Sequence, residues 1–158
     1  MKIIGFFVAA AMSAWPACAS APATPVQTIS FETGPCFGAC PVYRLYVSSD
    51  GSGSFEGIRF TAVTGTRPFR ATSAQYRAFA RMLEPIRPAR GSVRYEGRAC
   101  RSMATDMPSA NVTWRSRRGT QSLYFYYGCD MQRNRRIADR LNAAPALLPI
   151  GDFIRTPR

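Results

Sequence analysis

Cysteines, a few carboxylates and many guanidinium groups carry whatever chemistry this 158-residue chain performs, because it contains no histidine. Without an imidazole base there is no Ser-His-Asp or Cys-His nucleophile pair and no His-ligated metal. Cys36, Cys40, Cys100 and Cys129 form an even set once Cys18, near the N-terminus, is set apart. In an exported chain such a set is most simply two disulfides. Four cysteines allow three connectivities, and spacing favours Cys36–Cys40 with Cys100–Cys129. A compact turn through Phe37-Gly38-Ala39 can bring the first pair within the usual Cα separation of a disulfide. Closing the longer loop is worth about 3.5 kcal/mol of chain entropy, against about 2 kcal/mol for the shorter one.

Cys36 and Cys40 also admit a redox or soft-metal reading. A reactive thiolate needs a nearby cation, helix N-terminus or metal, and Arg44 is the cation at hand. Copper would want further soft ligands; Met103 and Met107 are the close methionine pair, far along the chain. Bracing is the simpler expectation. General acid–base work would need two carboxylates placed together. Glu32 and Asp106 are the candidates, since both neighbour cysteine-bearing segments, but each is expected to anchor an arginine or a loop amide. Asp50 reads as turn chemistry, Asp130 as a helix cap, and Asp139 as the i,i+4 partner of Arg135. No residue is assigned a catalytic role, and no metal or cofactor is implied.

The charge balance is the stronger lead. Twenty-one basic residues face nine acidic ones, a formal net charge of +12, and Lys2 is the single lysine. Arg133, Arg136 and Arg140 are expected on the solvent side of a C-terminal helix, with Arg115, Arg117 and Arg118 at a hairpin tip. Guanidinium groups so placed suit anionic envelope material: lipopolysaccharide phosphates, acidic glycans or an acidic protein. Tyr124-Phe125-Tyr126-Tyr127 superficially resembles a base-stacking surface. A strand of alternating aromatics is more simply half core and half surface, and export would separate the chain from most nucleic acid.

Export itself is read from residues 1–19. Lys2 precedes an uncharged, largely apolar run from Ile3 to Trp15; Pro16 breaks it, and Ala17-Cys18-Ala19 offers a small-x-small cleavage site. The run is short for a membrane span, and no later segment is apolar enough for one. Cys18 has a second reading, as a lipid-bearing N-terminal cysteine after cleavage at Ala17. Cleavage after Ala19 places the mature chain in the periplasm or outside the cell and lowers the charge to +11, since only Lys2 is lost. The remaining chain suffices for one domain. Residues 20–26, rich in Ala, Pro and Thr, read as a flexible tether, leaving 27–158 as the folded unit.

These residues need a scaffold of strands and two helices. Gln27 to Thr33 is a short strand with Ile29 and Phe31 inward, and Val42 to Ser49 puts Tyr43, Leu45 and Val47 on one face. Asp50-Gly51 turns the chain into a returning arm, Ser54 to Phe60. Thr61 to Phe69 adds an edge strand weakened by Gly65 and Pro68. Thr72 and Gln75 have capping-box spacing for a helix; Tyr76, Phe79, Leu83 and Ile86 recur at helical intervals, and Pro85 limits the helix near Glu84. A long basic connection from Arg87 to Met107 holds a short strand at Ser92 to Glu96. A second hairpin follows, Asn111 to Arg115 and Thr120 to Tyr127, around Arg117-Arg118-Gly119. A closing helix is expected from Asp130, with Met131, Ile137, Ala138 and Leu141 apolar, ending at Pro145. The class is α+β: a small, mainly antiparallel sheet of two hairpins with two packed helices.

The run Gly34-Pro35-Cys36-Phe37-Gly38-Ala39-Cys40-Pro41-Val42-Tyr43, followed by Asp50-Gly51 and Phe55-Glu56-Gly57, resembles a bacterial exported family known as a domain of unknown function (number 6438). Thr105-Asp106-Met107-Pro108 fits the same pattern, and the resemblance runs from about Ile29 to Tyr127. It implies one small exported domain and carries over no catalytic residue. The expectation is thus an exported, disulfide-stabilised binding module with an arginine-rich face; a thiol-redox or soft-metal protein using Cys36 and Cys40 is the alternative.

Overall fold

A computed structural model describes residues 27–155. The leader, the tether and both readings of Cys18 lie outside the described residues.

Alternating apolar side chains build the strands. Ile29 and Phe31 of β1 (Thr28–Thr33), Tyr43, Leu45 and Val47 of β2 (Val42–Ser48) and Phe55 of β3 (Ser52–Arg59) are all buried. The β2–β3 turn is made at Gly51, whose φ of +86° is open to glycine at little cost. Its N–H donates to Ser48 O, while Asp50 Oδ1 accepts the N–H and hydroxyl of Ser52. β4 (Gly65–Arg70) pairs with β3 and forms one edge of the sheet, a position where Pro68 removes no needed donor.

β6 (Ser109–Ser116) and β7 (Gly119–Tyr126) form the second hairpin, with Ala110, Val112, Trp114, Leu123 and Phe125 inward. β5 (Ser92–Tyr95) lies along β7 as the sheet's parallel pair and forms the other edge.

The expected class holds, but the sheet is larger than two hairpins. Seven strands form one sheet in the order β4-β3-β2-β1-β6-β7-β5. β1 is the splice: Phe31 stands opposite Leu45 on one side and Val112 on the other. Satisfying both rows of its backbone groups fuses the hairpins into a continuous surface.

Three helices accompany the sheet. α1 (Ser73–Leu83) begins with the expected reciprocal cap: Gln75 N–H donates to Thr72 Oγ1, and Thr72 N–H to Gln75 Oε1. Tyr76, Phe79 and Leu83 enter the core, each worth about 1.5–3 kcal/mol of burial. α2 (Arg135–Ala143) adds Leu141, and the turn after it adds Ala144, Leu148 and Ile150. A short α3 (Gly151–Ile154) sets Phe153 against the Phe55 ring. These side chains share one core with the inward residues of β1, β2, β3, β6 and β7, so the helices cover one face of the sheet. The opposite face is polar, with Ser30, Glu32, Arg44, Asn111, Thr113 and Ser122 among its side chains.

The final helix differs from expectation at its start. Asp130 does not cap it; α2 starts five residues later, after Asn134, whose side chain donates to Cys129 O. Asp130 takes a φ of +44° and turns its carboxylate to the loop at Arg101 and Ser102. That loop offers the carboxylate the backbone N–H groups of Arg101 and Ser102 and the Ser102 hydroxyl. Met131 consequently precedes the helix and is exposed, whereas Ile137 and Ala138 pack against the core.

Candidate functional site

All four cysteines of the described fold are bonded in the favoured pattern. Cys36–Cys40 has a Cα separation of 5.8 Å, and Cys100–Cys129 one of 5.3 Å. The first bridge closes the loop between β1 and β2. Prolines 35 and 41 flank it, and Phe37 N–H donates to Asp106 O at 3.1 Å. The second ties the connection after β5 to the end of β7. There Ala104 N–H donates to Gly128 O, and Asp130 and Ser102 exchange bonds.

The groups that could have activated a Cys36 or Cys40 thiolate are engaged elsewhere. Arg44 lies on the polar face of the sheet between Glu56, at 3.2 Å, and Glu32, at 3.6 Å. Glu32 therefore anchors an arginine, as expected. The Asp106 side chain accepts the Thr105 hydroxyl, and its backbone carbonyl, not its carboxylate, holds the loop amide of Phe37. Among the described residues, no group of three or more carboxylates or cysteines could hold a metal ion.

Carboxylates are largely consumed by ion pairs. Glu32 and Glu56 share Arg44; Glu84, Glu96, Asp139 and Asp152 pair with Arg87, Arg94, Arg135 and Arg155. Asp50 and Asp130 are held by backbone N–H and hydroxyl groups, which lower both carboxyl pKa values below the ordinary range. The six arginines singled out by sequence enter none of the ion pairs of the described residues.

They do not form one patch. Arg115, Arg117 and Arg118 are exposed at the β6–β7 tip, where Ser116 stands opposite Gly119. Arg133 and Arg136 are exposed around the start of α2, beyond the far end of that hairpin, where Ser109 stands opposite Tyr126. Eight residues of strand separate the two ends, about 25 Å at the usual rise. Arg140 corrects the reading of a solvent-facing side chain: it is partly buried, and its Nη1 donates to Met82 O of α1 at 3.1 Å. Consecutive helical residues lie about 100° apart, so Arg140 borders the buried side of Leu141 rather than opposing it, and α1 is within its reach.

Of the tyrosine run, Phe125 is buried and Tyr124 and Tyr126 lie on the other face of β7, as alternation predicts. Arg94 stacks over the Tyr124 ring at 4.2 Å. Tyr127 contacts Phe125 edge-on, and burial raises its hydroxyl pKa.

Sequence reading missed one feature of the surface. Phe37, at the tip of the Cys36–Cys40 loop, is 88% exposed. Its signal was present: an aromatic held between two closely spaced cysteines has little room to fold inward.

Residues 27–145 match the family described as Domain of unknown function (DUF6438). No curated protein and no solved structure matches the chain. No helix among the described residues is long and apolar enough to cross a membrane.

Proposed function

The chain belongs to this family of domains of unknown function, and we propose that it is an exported, disulfide-braced binding module that holds anionic envelope material through exposed arginines. The observation that supports the reading is the lopsided pairing: six carboxylates engage arginines elsewhere, and Arg115, Arg117 and Arg118 stand exposed and without an acidic partner among the described residues. The β6–β7 hairpin that carries them is held in the sheet between β1 and β5, with Arg115 itself paired to Thr28, so little backbone must be ordered when a polyanion binds. Guanidinium groups give bidentate contacts to phosphate and carboxylate. Arg133 and Arg136 form a second, separate basic group, which a long polymer can reach and a small ligand cannot bridge.

Purified protein is titrated with lipopolysaccharide, with polygalacturonate and with a neutral dextran, each at two salt concentrations. Binding to at least one polyanion, weakened by salt, is expected. Arg117→Gln with Arg118→Gln should weaken it at least several-fold. Binding that ignores both salt and these substitutions overturns the reading.

A further inference from the structure

The end of the sheet opposite the arginine tip gathers most of the exposed large apolar side chains. Phe37 is 88% exposed, Met103 53%, Met131 51% and Phe60 40%, and the bulged residue Ile58 precedes Phe60 by two positions. Strand pairing places them together. Val42, just after the Cys36–Cys40 loop, stands opposite Arg59; Gly34 N–H donates to Ser109 O; Met103 bridges to Cys129. From β3 to β7 they span five neighbouring strands, a row about 20 Å wide.

The row is built, not frayed. The Cys36–Cys40 bridge and the Phe37–Asp106 bond hold the Phe37 backbone. Phe60 adopts φ +54°, a costly value for a bulky residue, and turns its ring outward. Met103 and Met131 line a common depression with Arg101 and Arg133; Met131 also lines a second with Met107 and Arg135. Arg59 stacks over the Phe60 ring at 5.0 Å. The charges at this end are therefore Arg59, Arg98, Arg101, Arg133, Arg135 and Arg136 against Glu96, Asp106, Asp130 and Asp139, of which Glu96 is paired to Arg94 and Asp139 to Arg135. The Asp130 carboxylate is already occupied by the Arg101 and Ser102 amides.

We infer that this end docks on the anionic surface of a phospholipid bilayer, with Phe37 inserted below the headgroups and the arginines at their level. The apolar groups are spread along the row with cations among them: Arg59 against Phe60, and Arg101 and Arg133 beside Met103 and Met131. A soft interface accepts such spaced protrusions, whereas a protein pocket favours one contiguous apolar patch. Arginines beside inserted aromatics meet anionic headgroups while their stems cover apolar surface. This surface is distinct from the arginine tip, and its failure would leave the polyanion reading standing.

The test uses residues 20–158, which contain the whole described core, with vesicles of phosphatidylcholine alone or mixed with phosphatidylglycerol. Phe37→Trp supplies a reporter, since Trp114 is buried and Trp15 is excluded. Its emission should shift to the blue on anionic vesicles, be quenched by brominated lipid, and stay unchanged on neutral ones. Phe37→Ser should weaken vesicle binding about tenfold or more, and Arg101→Gln with Arg133→Gln should weaken it further with the fold intact by circular dichroism. Lipopolysaccharide binding through Arg117 and Arg118 should survive Phe37→Ser. An unshifted emission from the Phe37→Trp reporter, vesicle binding indifferent to Phe37→Ser, or Phe37-dependent capture of a protein without vesicle binding each overturns the inference.

Discussion

Asp130 and Ser102 bond to each other in both directions: Asp130 Oδ1 accepts the Ser102 N–H at 2.9 Å, and the Asp130 N–H donates to Ser102 O at 3.0 Å. The exchange sits beside the Cys100–Cys129 bridge, so the loop is closed by covalent and hydrogen bonds together. The hydrogen bonds from the Ser102 and Arg101 amides hold the carboxyl pKa below its ordinary value. A depressed carboxyl pKa stabilises the fold above the unfolded value, roughly pH 4, and the contribution fades as pH falls through the folded value. Asp130→Asn should therefore lower the melting temperature at pH 7, and the difference from the parent should shrink below about pH 4. A difference that stays constant down to about pH 2 would show that the charge is not what the loop uses.

The two bridges should differ in what their removal costs. Replacing Cys100 and Cys129 together by Ala should lower the unfolding free energy by about 3.5 kcal/mol, and the same change at Cys36 and Cys40 by about 2 kcal/mol. Urea unfolding of both variants checks the order. Loop length is the reason, since Cys100 and Cys129 lie 29 positions apart and Cys36 and Cys40 four.

Helix α1 depends on a cap and an anchor of different strengths. Thr72→Ala removes one half of the reciprocal cap and should cost about 1 kcal/mol. Phe79→Ala opens a cavity beneath a fully buried ring that meets Phe31 edge-on, and should cost about 3–5 kcal/mol. Equal losses in chemical denaturation would mean that α1 is not held chiefly by its buried face.

Two arginines one helical turn apart should behave unlike each other. Arg140 donates to Met82 O and is partly buried; Arg136 is exposed. Arg140→Gln should lower stability by about 1 kcal/mol through the lost bond between α2 and α1, whereas Arg136→Gln should leave it nearly unchanged. Thermal unfolding of the two single variants measures the difference.

The amino-acid order alone was enough wherever the governing forces are local. Alternation in Tyr43-Arg44-Leu45-Tyr46-Val47 set which face is buried, Asp50-Gly51 set the turn, and Thr72 with Gln75 set the start of α1. Cysteine spacing pointed to the bridges that the fold contains. Long-range partners decided the rest. Only pairing of β1 with both β2 and β6 joins the two hairpins, with their edge strands β4 and β5, into one seven-stranded sheet. Asp130 has the chemistry of a cap, yet the free amides of Arg101 and Ser102, 29 and 28 residues away, claim it. Arg140 has the periodicity of a surface residue, yet α1 lies within its reach. The separation of the arginine tip from the Phe37 end follows from the same cause: strand direction and register, which no local pattern encodes, determine which loops share an end of the sheet.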